Sequence, residues 1–494
     1  MLQYPFVGVQ VVFMGNPSIK FSCFNLLLAL IKEEQLKAYN AEKRRFTAAY
    51  IPIVSVLLIF IFFSNCNTTE PDNRLELSLE DVSCTEAWIN ITGETGSEII
   101  LNRDDIEVQR FTLTTSPQTV YDDSLLANKT YIYQVSSIQN QESSNQLQVT
   151  TLDTTSHNFT WQTFTFGGDG GSSHLYDCAI INENSIWAVG EINVADTSVN
   201  GYTTYSAVHW DGSDWKLMQL KSNCRLYYPN CGPDTMLISV GHSIFARGEN
   251  DIWMASGSIH HFDGIKWTEE AGILGAGSAN KIWGNENELW FVGSNGFIAH
   301  RRTNGSWQKI ESGTDVDLQD ISGTPDLKEI WTCGWNYNNG RVSLLKINGN
   351  NVESIWDSQT NTTLNIYRGT LLNSLYANGN KEFVLVGGQV FRHSLVDKSQ
   401  VKYEWVKTYN GSKVLELGNY GYRIKGSNKN NIAVAGDAAM IWHFNGATWY
   451  KYSELYDLND RLYGLAVTDD VIVAVGIRYS PGTLGEALLI IGRR

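Results

Sequence analysis

A single unit recurs through the last two-thirds of this chain, and it limits the fold more than anything else in the sequence. The unit is an apolar strand, an Asn- or Asp-rich turn, a strand ending in Gly, and then apolar-His-x-x-Gly-x-x-Trp. One copy runs Ile186-Trp187-Ala188-Val189-Gly190 and continues at His209-Trp210-Asp211-Gly212-Ser213-Asp214-Trp215. A second has Ile252-Trp253-Met254-Ala255, then His261-Phe262-Asp263-Gly264-Ile265-Lys266-Trp267. A third has Ile432-Ala433-Val434-Ala435-Gly436, then His443-Phe444-Asn445-Gly446-Ala447-Thr448-Trp449. Weaker copies centre on Trp290, Trp331, Val384 and Val473. The marker glycines are Gly190, Gly257, Gly293, Gly334, Gly387, Gly436 and Gly476, most of them spaced near the ~40–45 residues of a repeated four-stranded unit.

A four-stranded sheet cannot bury both of its faces alone. Packing such sheets around an axis covers them and leaves few free edges. The Asn-Gly and Asp-Gly pairs before each Trp supply the hairpin between outer strands. The repeats resemble those of bacterial β-propellers, and the resemblance implies an all-β, seven-bladed β-propeller over residues 158–494. The Gly-His and Trp-Asp signatures of WD40 repeats, the repeated double glycines of Kelch repeats and the sialidase Asp-box are not in register. The last unit lacks its Gly-x-x-Trp strand. The segment Phe159-Thr160-Trp161-Gln162-Thr163-Phe164-Thr165-Phe166 is expected to supply it, beside Leu488 to Ile490.

Residues 73–153 carry short alternating strands such as Leu75-Glu76-Leu77-Ser78-Leu79 and Ala87-Trp88-Ile89-Asn90-Ile91, the rhythm of one small β-sandwich. The stretch Leu125-Leu126-Ala127-Asn128-Lys129-Thr130-Tyr131-Ile132-Tyr133 resembles the fibronectin type III pattern. That resemblance implies a tyrosine corner at Tyr131 and a core Trp at Trp88. Such a domain is expected to act as a stalk. Cys84 reads as a buried thiol.

The long apolar run is Ala48 to Phe63, preceded by Lys43-Arg44-Arg45 and followed by Ser64-Asn65-Cys66. Basic, apolar and small-residue segments in that order form a secretory signal, and the run is short for a membrane span of about 20 residues. Phe63-Ser64-Asn65-Cys66 resembles the lipobox of bacterial lipoproteins, which implies lipid attachment at Cys66. An uncleaved helical anchor and plain secretion are the alternatives. Residues upstream of the signal read as an over-extended gene start, so 1–66 is taken as start plus signal and 67–72 as linker. The expected location is the bacterial cell envelope, as an outer-membrane lipoprotein, with the membrane as partner through the lipid. In that oxidising setting Cys224 and Cys231, flanking a polar loop, are expected to form a disulfide.

The net charge of −15 offers no basic footprint for nucleic acid. Phosphate-loop, nucleophile-elbow and zinc-protease motifs are missing, and no Cys/His cluster has metal spacing. No cofactor and no catalytic activity are expected. The acid pairs fall in turns, where solvated acids are ordinary. The repeated His209, His260 or His261, and His443 are expected to serve packing, hydrogen-bonded to the next blade. Function in a propeller sits in the loops at one face. The starts of the innermost strands offer Tyr176, His242, Asp320, Ser374, Tyr422, Arg423 and Tyr463, and longer loops add Tyr202, Tyr205, Trp335 and Tyr337. The expected role is envelope binding or scaffolding of a protein or glycan ligand. A carbohydrate-active enzyme or a glycan-binding propeller is the alternative, and a sensor or assembly component comes behind it.

Overall fold

A computed structural model describes residues 74–494, except 140, 224–235, 257, 271–278, 361–371, 378–381, 387–388, 395–400, 403–407, 410–411, 414, 418 and 483. These belong to one compact unit, Asn73–Arg494. The lipobox with Cys66, the cysteines Cys224 and Cys231, and the marker glycines Gly257 and Gly387 lie outside the described residues. Among the described residues no helix is long and apolar enough to cross a membrane.

The first domain is a sandwich of two antiparallel sheets. Strands β1 (Glu76–Val82), β2 (Ala87–Thr92) and β5 (Gln118–Asp122) make one sheet in the order β1-β2-β5. Strands β3 (Glu98–Arg103), β4 (Ile106–Thr112), β6 (Thr130–Ser137) and β7 (Leu147–Thr150) make the other, ordered β4-β3-β6-β7. Alternation places Leu77, Ile89, Ile91, Ile99, Tyr133 and Val135 in the core between them. The Tyr131 hydroxyl accepts the Leu126 amide at 2.8 Å, which pins the turn before β6. Trp88 departs from expectation. It is buried, but its neighbours Ala87 and Ile89 occupy the core, so period two turns the indole to the outer face. There the Lys429 ammonium lies 4.9 Å above its ring.

The rest of the described chain is a β-propeller. Among the described residues seven sheets of four or more strands follow one another, here numbered I to VII, beside two short two-stranded ribbons. Their inner strands are His174–Asn182, Ser243–Gly248, Ala279–Gly284, Asp317–Gly323, Ser374–Ala377, Gly421–Asn428 and Asp460–Val467. Each inner strand packs against the next, and that of sheet VII packs against that of sheet I, so the ring closes. Strand β8 (Thr160–Phe166) supplies the outer strand of sheet VII. It pairs antiparallel with Glu486–Arg493, setting Thr165 opposite Leu488 and Thr163 opposite Ile490. Apolar residues of adjoining sheets fill the spaces between them, as where Val473 and Leu489 meet Leu175 and Ala188.

The marker glycines have a steric cause. In sheets I, III, IV, VI and VII the inner strand bulges opposite the glycine, at Val189/Gly190, Ala279/Lys281, Leu318/Asp320, Gly421/Arg423 and Leu462/Gly464. A Cβ on Gly190, Gly334, Gly436 or Gly476 would collide with the carbonyl oxygen of His174, Asp317, Tyr420 or Arg461, respectively. A bulge leaves one residue unpaired and re-aims its side chain.

The sandwich docks on sheet VI at the turns Asn428–Asn431 and Asn445–Thr448. Lys429 pairs with Asp81 there, and the Asn430 amide donates to Asp153 O at 2.8 Å. The Cys84 thiol faces Gly446 and donates to Asp153 O at 3.1 Å, and burial pushes its pKa up to about 11.

Candidate binding mouth

The bulges decide what the axis displays. In each of those five sheets the skipped residue sits at the start of the inner strand: Tyr176, Asn280, Gln319, Tyr422 and Tyr463. His242 and Asn373 precede the paired Ser243 and Ser374 and hold the same place in sheets II and V. The seven residues form a ring with two halves.

One half is aromatic. Tyr176 stacks on His242 with centroids 5.1 Å apart, lies 6.4 Å from Tyr463, and Tyr463 lies 5.5 Å from Tyr422. Tyr420 continues the arc 5.6 Å from Tyr422. The Tyr422 hydroxyl donates to Asp437 at 3.0 Å, and the Tyr176 hydroxyl is bonded to His174. Burial, then the nearby Glu191, pushes the Tyr176 phenol up to about 12, so these rings stay neutral near pH 7.

The other half is amide. Asn280 donates to Leu318 O at 3.0 Å, Gln319 to Asp317 O at 3.2 Å and Asn373 to Gly421 O at 3.1 Å. Trp335 donates from its indole to Asn373 Oδ1 at 3.2 Å, and Tyr337 stands beside it, 84% exposed. The structure therefore gathers Tyr176, His242, Tyr422, Tyr463, Trp335 and Tyr337 on one face, with Arg423 in the layer just below it.

Asp320 is not on that face. It is completely buried, because the bulge falls at Gln319 and turns the next residue into the layer below. Ser374 is buried as well, with Asn373 taking the mouth position just before an unbulged strand. The layer below the mouth reads Asp177, Ser243, Lys281, Asp320, Ser374, Arg423 and Gly464 around the ring. Asp177 accepts from Ser243 at 2.7 Å, from the Ile244 amide at 2.9 Å and from Lys281 at 2.6 Å. Asp320 accepts from Ser374, from the Leu375 amide at 3.0 Å and from Lys425 at 2.8 Å. Burial alone would raise the Asp320 carboxyl; Lys425, Lys281 and Arg423 outweigh it and hold it below the usual range. The same burial pushes the Lys425 ammonium down. This layer bonds neighbouring sheets together. Sequence reading missed it because its members come from different sheets; the visible signal was a lysine, Lys281, inside an apolar inner strand.

The repeated histidines also find their role. His209, His261 and His300 stack on Trp187, Trp253 and Trp290 across one strand pair, with centroids 4.1, 4.1 and 4.3 Å apart. Their Nε2 atoms meet Ser185 at 3.1 Å, Asp251 at 2.8 Å and Glu288 at 2.8 Å. His443 meets Asn431 at 2.8 Å in the same way. Each partner lies in the same sheet, not the next one, because it starts, or in the case of Glu288 directly precedes, the strand that pairs with the histidine. The member in sheet II is His261. His260 points to the other face and meets Ser222 at 3.1 Å.

No family model and no curated protein matches the chain. Solved structures similar to it include YCF48 bound to D1 peptide, 14% identical, covering 69% of this chain and 99% of that one with a TM-score of 0.47. Another is YCF48 from Cyanidioschyzon merolae, 11% identical, covering 68% of this chain and 98% of that one, TM-score 0.44.

Proposed function

We propose that this protein is a non-enzymatic, envelope-anchored binding module whose seven-bladed propeller takes a protein ligand on its mouth face. A cluster of exposed apolar side chains carries this reading. Val199, Tyr337, Tyr456, Leu458, Tyr479 and Leu484 are all exposed, and all lie on loops that open on the mouth face. Exposed apolar side chains gathered on one face are the mark of an interaction surface.

The sandwich, taken as a fibronectin type III-type spacer, sits at the opposite turns of sheet VI. With a lipid on Cys66, that arrangement would present the mouth away from the membrane. A disulfide between Cys224 and Cys231 would suit an exported protein.

A glycan ligand is the second reading. The half-aromatic, half-amide ring favours it, since rings stack on sugar faces while amides bond hydroxyls.

Peptide and glycan arrays probed with the intact protein and with Tyr422→Ala/Tyr463→Ala test both readings. Peptide hits lost in the variant support the first, and glycan hits lost in the variant support the second. Hits unchanged in the variant place binding elsewhere. Intact mass spectrometry of the membrane fraction, with Cys66→Ala as control, tests the anchor.

A further inference from the structure

We infer that Arg423 is an oxyanion-binding group just below the mouth, ready to take a carboxylate, sulfate or phosphate group of a ligand.

The axial layer repeats a three-sheet pattern. Sheets I, II and III give Asp177, Ser243 and Lys281, in which the lysine neutralises the aspartate and the Ile282 amide donates to Ser243 at 3.1 Å. Sheets IV, V and VI give Asp320, Ser374 and Arg423, and the Ile424 amide donates to Ser374 at 3.1 Å in the same way. In the second set the expected pairing does not form. Lys425, two residues further along the strand, reaches Asp320 instead at 2.8 and 3.0 Å. Three cations, Lys281, Lys425 and Arg423, therefore share two carboxylates, Asp177 and Asp320.

The surplus charge falls on Arg423. Its Nη1 donates to Asn373 O at 3.2 Å and Tyr422 O at 3.1 Å, which fixes the plane of the guanidinium. Its Nε–H is buried and has no hydrogen-bond partner among the described residues. An oriented guanidinium with its Nε edge unbonded is the geometry that takes an oxyanion by two parallel hydrogen bonds. Around it stand Asn373, Tyr422 and, through Asn373, Trp335, which belong to the mouth itself.

This inference deepens the reading of the mouth as a binding surface and rests on it. The test follows the melting midpoint of the intact protein against acetate, sulfate and inorganic phosphate, each at constant ionic strength set with chloride. Wild type, Arg423→Gln, Arg423→Lys and Arg461→Gln are compared, the last removing a second mouth-side arginine. A midpoint that climbs with the logarithm of anion concentration in wild type and Arg461→Gln, is flat in Arg423→Gln and is partly kept in Arg423→Lys is the expected result. The strongest anion then names the chemistry, acetate pointing to a carboxylate and sulfate or phosphate to a tetrahedral group. Equal responses in wild type and Arg423→Gln, or no response in either, overturn the inference. A variant that loses array hits at Tyr422 and Tyr463 while the anion response is absent would leave the mouth reading standing without this site.

Discussion

Trp161 is paired with Gly492 across the seam where the propeller closes, and a Cβ on Gly492 would stand 2.6 Å from the indole Cζ3. The glycine is there because the closing strand lays its largest side chain on that backbone. Gly492→Ala is therefore expected to destabilise by about 1–3 kcal/mol, the usual range for overpacking. Gly248→Ala serves as control, since a Cβ there meets nothing within 4 Å. Calorimetry showing equal midpoints for the two variants would argue that the seam does not limit stability.

The buried pair of Asp320 and Lys425 should behave as a unit. Asp320→Asn leaves the Lys425 ammonium in the axial layer without its counter-charge. Removing one partner of a buried pair costs about 3–5 kcal/mol, whereas replacing both with fitting apolar groups is often close to neutral. Urea unfolding of Asp320→Asn, Lys425→Met and the double variant should show the double variant recovering a large part of the loss. Additive losses would mean the pair is not coupled.

Acidification should weaken the region where the linker crosses sheet VI. His157 Nδ1 and His443 Nδ1 are 2.8 Å apart, and His443 Nε2 is 2.8 Å from Asn431 Oδ1. The Asn431 amide nitrogen donates to Thr468 O, so its oxygen faces the ring and His443 must carry its proton on Nε2. Its Nδ1 then accepts from His157, whose Nε2 meets Thr448 at 3.1 Å. Burial, with His157 and Arg494 adding to it, lowers the His443 pKa to about 3. The unfolded ring titrates near 6.5. Between these values the unfolded chain holds more protons, so stability falls as pH drops below about 6.5, by ~1.4 kcal/mol per unit for this group. Denaturation midpoints from pH 7 to pH 4.5 should fall less steeply in His443→Gln, and parallel curves would exclude this ring as the cause.

Much of the propeller can be read in the sequence because its repeat is built from local chemistry. Asp211-Gly212, Asp263-Gly264 and Asn445-Gly446 are hairpin turns whose glycines have φ of 92°, 90° and 97°. The mouth was partly legible: aromatic residues stand out at the starts of apolar strands. The bulge was not, because it is defined by pairing with a second strand, and a one-residue shift sends a side chain to another layer. That shift separates Gln319 from Asp320. The outward Trp88 was hidden for a related reason. Its cover, Lys429, comes from a different domain, and nothing in the sequence around the tryptophan marks it.

Lys429 gives the last prediction. Its ammonium pairs with Asp81, reaches Val82 O at 3.4 Å and lies 4.9 Å over the Trp88 ring, so one side chain engages the sandwich in three ways. Both charged groups are largely shielded, at 12% and 25% exposure, which keeps the contact from being screened away by water. A desolvated cation over an indole contributes about 2 kcal/mol. Lys429→Ala should loosen the sandwich from sheet VI without unfolding the ring, because the inner strands and the seam are untouched. The expected signature is faster proteolytic cleavage between residues 153 and 158, with the propeller's own melting midpoint changed little. Lys429→Arg should restore most of the protection, since a guanidinium can keep both the ion pair and the stacking. Cleavage at the wild-type rate in Lys429→Ala would mean that the junction is held without it, by the Asn430 amide on Asp153 O, the Thr155 amide on Asn445 O at 3.1 Å and the packing of Cys84 on Gly446.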